Sequence, residues 1–211
     1  MKGTELFFLL SLNINVMAQN ELRGVYQFNR QEMVAAFNFS TNNKFDFFYS
    51  YGAVDRTATG SFSIAGDTLK LKSDKEAGKD FTIKSESKAG TGYRLQFEDA
   101  NKYLLSNIRC SFFTGEERRD EFTDNNGVIN IDLALCDKIY VFHQLYPDMV
   151  TLVKDVGNDD NHFVLTLNPS LEQVSFKDFI FIIKGDKIFA PARNFLFPED
   201  AAFTKQKKAT D

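Results

Sequence analysis

"FIIKGDKIFAPARNFLFPEDAAFTK", residues 181–205, decides how this chain is organised. Gly185 and Asp186 stand between two short apolar runs, which is a strong signal for a tight β-hairpin. The same grammar occurs far earlier in "FSIAGDTLKL", residues 62–71, where Gly66 and Asp67 hold the turn. If both hairpins belong to one sheet, the chain between them is a guest in that sheet. If they do not, the chain is a simple tandem. Seven Phe fall between Phe176 and Phe203, so this end of the chain matches its Phe-rich first part.

Working outward, period-2 alternation dominates. Phe45, Phe47, Tyr49 and Tyr51 alternate with Lys44, Asp46, Phe48 and Ser50; Leu69 and Leu71 alternate with Lys70 and Lys72. Tyr93, Leu95 and Phe97 alternate with Arg94, Gln96 and Glu98. One wet and one apolar face is what an antiparallel sheet over a core requires. Turn chemistry separates the runs at 40–44, 65–67 and 88–92. The short spacings predict a meander of hairpins, with about seven strands between Leu22 and Glu98. No amphipathic helix is evident; Ser170 to Val174 has room for one short turn.

Two resemblances follow. The succession "GVYQF" (24–28), "KFDFFYSYG" (44–52), "ATGSFSIAGDTLKLKS" (58–73) and "DFTIKS" (80–85) resembles the lipocalin-like barrels common among small exported bacterial proteins. It covers about seventy residues and rests on hairpin grammar. It implies a barrel able to hold a small apolar ligand, and barrels of this type end in a hairpin and a closing strand. The middle of the chain has a different character. "EFTDNNGVINIDL", residues 121–133, resembles the transthyretin-like sandwiches of the carboxypeptidase regulatory-domain type, through Thr123, Asp124, Gly127, Ile129 and Ile131. Asp137, Ile139 and Val141 match the strand that follows, whereas Cys136 stands where a loop residue is typical.

The expected class is therefore all-β: an antiparallel lipocalin-like barrel or meander plus a small transthyretin-like β-sandwich. The barrel domain is placed at 22–99, with 176–204 as the candidate to complete it, the sandwich at 100–175 and a polar tail at 205–211. Insertion and tandem fit equally, and a single larger sandwich is the third arrangement.

With 211 residues the chain has room for one large domain or two small ones, and a net charge of −4 argues against the basic face of a nucleic-acid binder. Lys2, the apolar run Phe7 to Leu12 and Val16-Met17-Ala18 read as a signal peptide over 1–18, implying export to the periplasm or beyond. Glu5, Asn13 and Asn15 depart from that pattern, and a buried N-terminal strand is the alternative. No later run approaches the roughly 18 apolar residues of a transmembrane segment. Cys110 and Cys136 are the only cysteines, either a disulfide or two separate buried thiols.

Catalytic grammar is missing: there is no nucleophile elbow, phosphate loop or HExxH. His143 and His162 read as ordinary surface or core residues, and Asp155, Asp159 and Asp160 as turn chemistry that misses the EF-hand order. No metal or cofactor is implied. The candidate ligand-binding residues are Tyr49, Tyr51, Asp55 and Arg56, which gather aromatic and charged groups in one loop. The plainer account is an Asp55–Arg56 turn with tyrosines packed at a barrel rim. These features point to an exported non-catalytic protein that binds a small apolar ligand or an envelope protein or glycan. A structural or adhesive envelope module is the alternative, and a hydrolase accessory protein the least supported. The sequence leaves the oligomeric state open. An open apolar cavity would favour the ligand, a filled core the envelope module.

Overall fold

The computed structural model describes residues 22–177 and 179–207; the expected leader over 1–18 lies outside them, as do residues 208–211 of the tail. Alternation folds the first part of the chain into five consecutive antiparallel strands: β1 Gly24–Arg30, β2 Met33–Phe39, β3 Lys44–Tyr51, β4 Val54–Ala65 and β5 Thr68–Ser73. The last three strands, β14 Ile180–Lys184, β15 Lys187–Phe189 and β16 Ala202–Lys205, run from β5 back to β1 and close an eight-stranded barrel. The two Gly-Asp hairpins are neighbours in it, because β14 pairs with β5 through Ile180–Lys70, Phe181–Leu69 and Ile182–Thr68. Gly66 (φ 63°) and Gly185 (φ 60°) take the left-handed conformation that these two-residue loops demand. Lys205, expected in the tail, instead pairs with Tyr26 in the closing ladder.

Between β5 and β14 the chain leaves to build two four-stranded sheets. One has the order β10-β7-β13-β6, from β6 Phe81–Ser87, β7 Tyr93–Glu98, β10 Val128–Ile131 and β13 His162–Leu167. The other has the order β12-β11-β8-β9, from β8 Ile108–Thr114, β9 Glu117–Phe122, β11 Lys138–His143 and β12 Tyr146–Lys154. Inward side chains of both sheets, among them Leu95, Phe97, Phe163, Cys110, Phe112 and Val141, share one buried core, so the sheets form a sandwich.

Two expectations are corrected here. The strands β6 and β7, assigned from sequence to the barrel domain over 22–99, lie in the sandwich, which begins near residue 80 and not near 100. They do not form a hairpin either: β13 lies between them and pairs parallel with β7 through Phe163–Leu95 and Leu165–Phe97. A third adjustment is local. The stretch at 121–133 lies within the sandwich and carries the chain from β9 in one sheet to β10 in the other. Asp124 Oδ1 accepts from the N–H groups of Asn126 (2.9 Å) and Val128 (2.8 Å) there. Gly127 sits at φ 76°, where a Cβ would lie 2.8 Å from the carbonyl oxygen of Phe97. Two short 3-10 turns, Lys102–Leu104 and Pro169–Glu172, are the helical elements among the described residues.

The barrel interior is filled. Phe37 is fully buried, and its ring lies 4.6 Å from Phe47, 5.0 Å from Phe203, 5.4 Å from Phe176 and 5.5 Å from Phe181. Phe176 is not a wall residue. It comes from the returning segment 173–177, which docks on β4 by donating Val174 N–H to the Thr57 carbonyl (2.8 Å). Burying each such ring stabilises the fold by about 1.5–3 kcal/mol, so the phenylalanines are the barrel's main source of stability.

Candidate functional site

Above this filled interior the mouth of the barrel stays open. The inward phase of β3 that buries Phe45 and Phe47 continues through Tyr49 to Tyr51 at the strand end, which is 48% exposed. The β1–β2 turn brings Arg30, Gln31 and Met33 to the same rim, where Met33 pairs with Tyr51. The third wall is the β15–β16 connection. Its base is tied by Ala190 N–H donating to Ala201 O (3.0 Å), and Asn194 organises its tip. Asn194 Oδ1 accepts from Leu196 N–H (2.8 Å) and its Nδ2 donates to Pro191 O (2.8 Å). Phe197 is thereby driven into the barrel core, its ring 6.2 Å from Tyr49 and 5.2 Å from Phe203, while Phe195 stays half-exposed. The result is an open cleft of about 530 Å³ lined by Arg30, Met33, Tyr49, Tyr51, Phe195 and Phe197 with their neighbours. Burial pushes the Tyr49 phenol above its ordinary value, with the Arg56 charge opposing, so it stays protonated at neutral pH. Arg30 reaches Asp200 across the rim (3.2 Å), both exposed.

The four residues singled out from sequence thus separate. Tyr49 and Tyr51 line the cleft. Asp55 is exposed on the outer face of β4. Arg56 is 2% exposed, because β4 turns Arg56, Ala58, Gly60 and Phe62 to one side. Its guanidinium meets the carboxylate of Asp148 on β12 in a short, buried ion pair and donates to Gln173 O at 3.0 Å. Asp148 Oδ2 also accepts from Ser175 N–H (2.7 Å) and lies 3.5 Å from Lys75 Nζ, which in turn is 3.0 Å from Asp80 Oδ2. Two cations and two carboxylates, each side chain 1–2% exposed, therefore balance one another at the junction of barrel and sandwich. Burial raises the Asp80 carboxyl above its ordinary value against the pull of Lys75. The four charges balance one another, although Arg56 Nε is buried without a hydrogen-bond partner, and the arrangement is a structural clasp.

Cys110 and Cys136 are free, buried thiols, so the disulfide considered from sequence is not formed. Cys110 faces the sandwich core from β8, where burial pushes its thiol well up. Cys136 lies in the loop before β11, its Sγ 3.2 Å from Lys138 O and its N–H donating to the Tyr93 hydroxyl (3.0 Å). His143 is consumed by structure: Nε2 contacts Leu104 O (3.0 Å) and Nδ1 accepts from Leu145 N–H (3.1 Å). The Asp155–Asp160 stretch is a turn, closed by Asn158 N–H on Asp155 O (3.0 Å). Among the described residues no cluster of His, Cys, Asp or Glu is placed to hold a metal ion, and no helix is long and apolar enough to cross a membrane.

None of the family models, curated proteins or solved structures compared with the chain matches it. The site must therefore be read from its own chemistry. Aromatic and thioether walls, a charged rim and an interior already occupied by side chains suit reversible binding of a small molecule. Asn194 and Phe195 escaped the sequence reading. The available signal was the Phe-rich "RNFLF" stretch between Pro191 and Pro198.

Proposed function

We propose that this is an exported, non-catalytic binding protein of lipocalin-like type that takes a small, largely apolar molecule at the mouth of its barrel. The observation carrying this reading is the cleft of about 530 Å³ walled by Met33, Tyr49, Tyr51 and Phe195. That size lies within the range of small-molecule sites, and barrel mouths are a common place for them. The ligand rests on top of the phenylalanine core, not inside it, and a polar or acidic end meets Arg30 and the Tyr51 hydroxyl. Export rests on the leader pattern at 1–18. The transthyretin-like reading of the sandwich rests on Thr123, Asp124 and Gly127; in support, Asp124 accepts Asn126 N–H and Gly127 takes a positive φ in the turn into β10.

The test is native mass spectrometry of the mature chain after incubation with a mixture of fatty acids and phospholipids. A retained mass is expected, and Tyr51→Ala should weaken retention about fivefold or more, the effect of truncating an aromatic contact worth about 1 kcal/mol. No retained mass at any pH sinks the proposal. Retention unchanged in Tyr51→Ala would place the ligand elsewhere and sink the mouth as its site.

A further inference from the structure

The outer face of the sheet β12-β11-β8-β9 is unusual for a solvent-facing sheet surface, which ordinarily carries polar residues. Across its four strands, the register sets Phe122 beside Arg109 and Arg109 beside Phe142. In the next row Asp120, Ser111, Tyr140 and Leu152 follow one another, and beyond them Arg118, Phe113 and Lys138. Phe122, Val150 and Leu152 are 44–53% exposed, with Phe113, Tyr140 and Phe142 partly so. The rings are held by their neighbours: Phe113 and Tyr140 meet edge-on at 5.7 Å, and the Arg109 guanidinium lies over Phe142 at 4.1 Å. Arg118 grips Asp120 through two 2.7 Å hydrogen bonds. Arg109 reaches the same carboxylate only at 3.9 Å, and its Nε is buried without a hydrogen-bond partner.

Charge and area select the occupant. Within a chain of net charge −4, this face carries Arg109, Arg118 and Lys138 against Asp120, so it is locally cationic. Its area is small, since four strands about 4.8 Å apart and about 20 Å long span roughly 400 Å². That is about half of the ~800 Å² per partner buried in a stable protein–protein interface. Rings interleaved with guanidinium groups match a sugar chain better. A pyranose presents C–H groups on its faces for the rings and hydroxyls at its edge for Asp120, and a carboxylate on it would engage Arg109. We propose that this sheet face binds an acidic, uronate-type polysaccharide, independently of the barrel-mouth cleft.

The experiment is native affinity electrophoresis of the mature chain in gels containing polygalacturonate or neutral dextran. Polygalacturonate is expected to retard the protein at least twofold more than dextran. Phe122→Ala combined with Phe142→Ala, and separately Arg109→Gln, should remove that difference, while Tyr51→Ala at the barrel mouth should keep it. Thermal melts check that each variant is folded, and Arg109→Gln, which keeps the rings, carries the test if the double variant does not fold. Absence of retardation by polygalacturonate overturns the inference, as does retardation unaffected by both sets of changes. A dimer in light scattering that Phe122→Ala dissolves would assign the face to a second copy of the chain and overturn it equally.

Discussion

His143 shows how one buried side chain can set a pH limit. Its ring is fully buried, and Leu145 N–H points at Nδ1, so that nitrogen must be unprotonated. Nε2 then carries the proton and donates it to Leu104 O, which fixes a single neutral tautomer. Burial accordingly pushes the imidazole below its ordinary value of 6.5, with the Leu104 contact opposing. A proton added at low pH would also set a second N–H against that of Leu145. Because the unfolded chain takes this proton before the folded one does, the contribution is complete above about pH 6.5 and is lost as pH falls through the folded value. Asp80 acts with the opposite sign at lower pH, since burial raises its carboxyl and its ionisation costs stability as pH rises. His143→Gln separates the two, because an amide can keep one donor and one acceptor without titrating. Between pH 7 and pH 5 the melting temperature of the natural protein is expected to fall, and that of His143→Gln to fall clearly less. Parallel falls in circular-dichroism melts would remove His143 from the account.

Among the elements, β4 asks most of its sequence. It spans 12 residues, pairing with β3 through its first eight residues and with β5 from Gly60 to Ala65, and the crossing is tightest at Gly60. A Cβ there would lie 2.1 Å from the Lys72 carbonyl oxygen and 2.8 Å from the Phe45 ring, so the two strands could not keep their spacing. Gly66, at the tip of the same hairpin, has nothing within 4 Å of such a Cβ and only its positive φ to lose. Gly60→Ala is therefore expected to cost about 3 kcal/mol, the upper end of overpacking. Gly66→Ala should cost about 1 kcal/mol, the ordinary penalty for a left-handed residue. Urea unfolding midpoints read both, and equal costs would mean that β4 and β5 yield freely. This element also marks where sequence reading succeeds and stops. Alternation identifies only the part of β4 around Phe62 and Ile64, whereas Asp55 and Arg56 read as a loop or turn; in the structure the phase running Phe62, Gly60, Ala58, Arg56 extends back through that stretch and buries Arg56. Alternation cannot name the partner, because Asp148 follows 92 residues later. The strands β6 and β7 fail for the same reason: the strand between them, β13, follows all four strands of the opposite sheet. The cleft was half legible. Tyr49 and Tyr51 share one strand face, whereas the wall at 194–198 is irregular chain whose position depends on Asn194 hydrogen bonds.

At the scale of the molecule, two separate hydrophobic cores meet at one small charged clasp. The barrel cannot close until the chain returns from the sandwich, because β14 must find β5 and Phe176 must enter the phenylalanine cluster. The returning segment is held at that point by Asp148, which accepts Ser175 N–H while pairing with Arg56 of the barrel. Lys75 and Asp80, on the outgoing neck, complete the same network, so both crossings of the junction are tied together. A buried pair is no strong stabiliser compared with apolar residues of equal size, yet breaking one half of it is costly. Asp148→Asn leaves Arg56 buried beside a neutral amide and deprives Lys75 of one carboxylate. It is expected to cost about 3–5 kcal/mol in urea unfolding. Arg56→Met combined with Asp148→Leu removes both charges, leaves Lys75 with Asp80, and should cost less than Asp148→Asn alone. A single-substitution cost below about 1 kcal/mol, the value of a surface ion pair, would show that the junction is solvated and the clasp idle. The ordering of the two variants carries the stronger inference. If the double substitution is the more damaging, Arg56 and Asp148 hold the modules together by attraction; if it is the milder, packing holds them and the charges fix only how they meet.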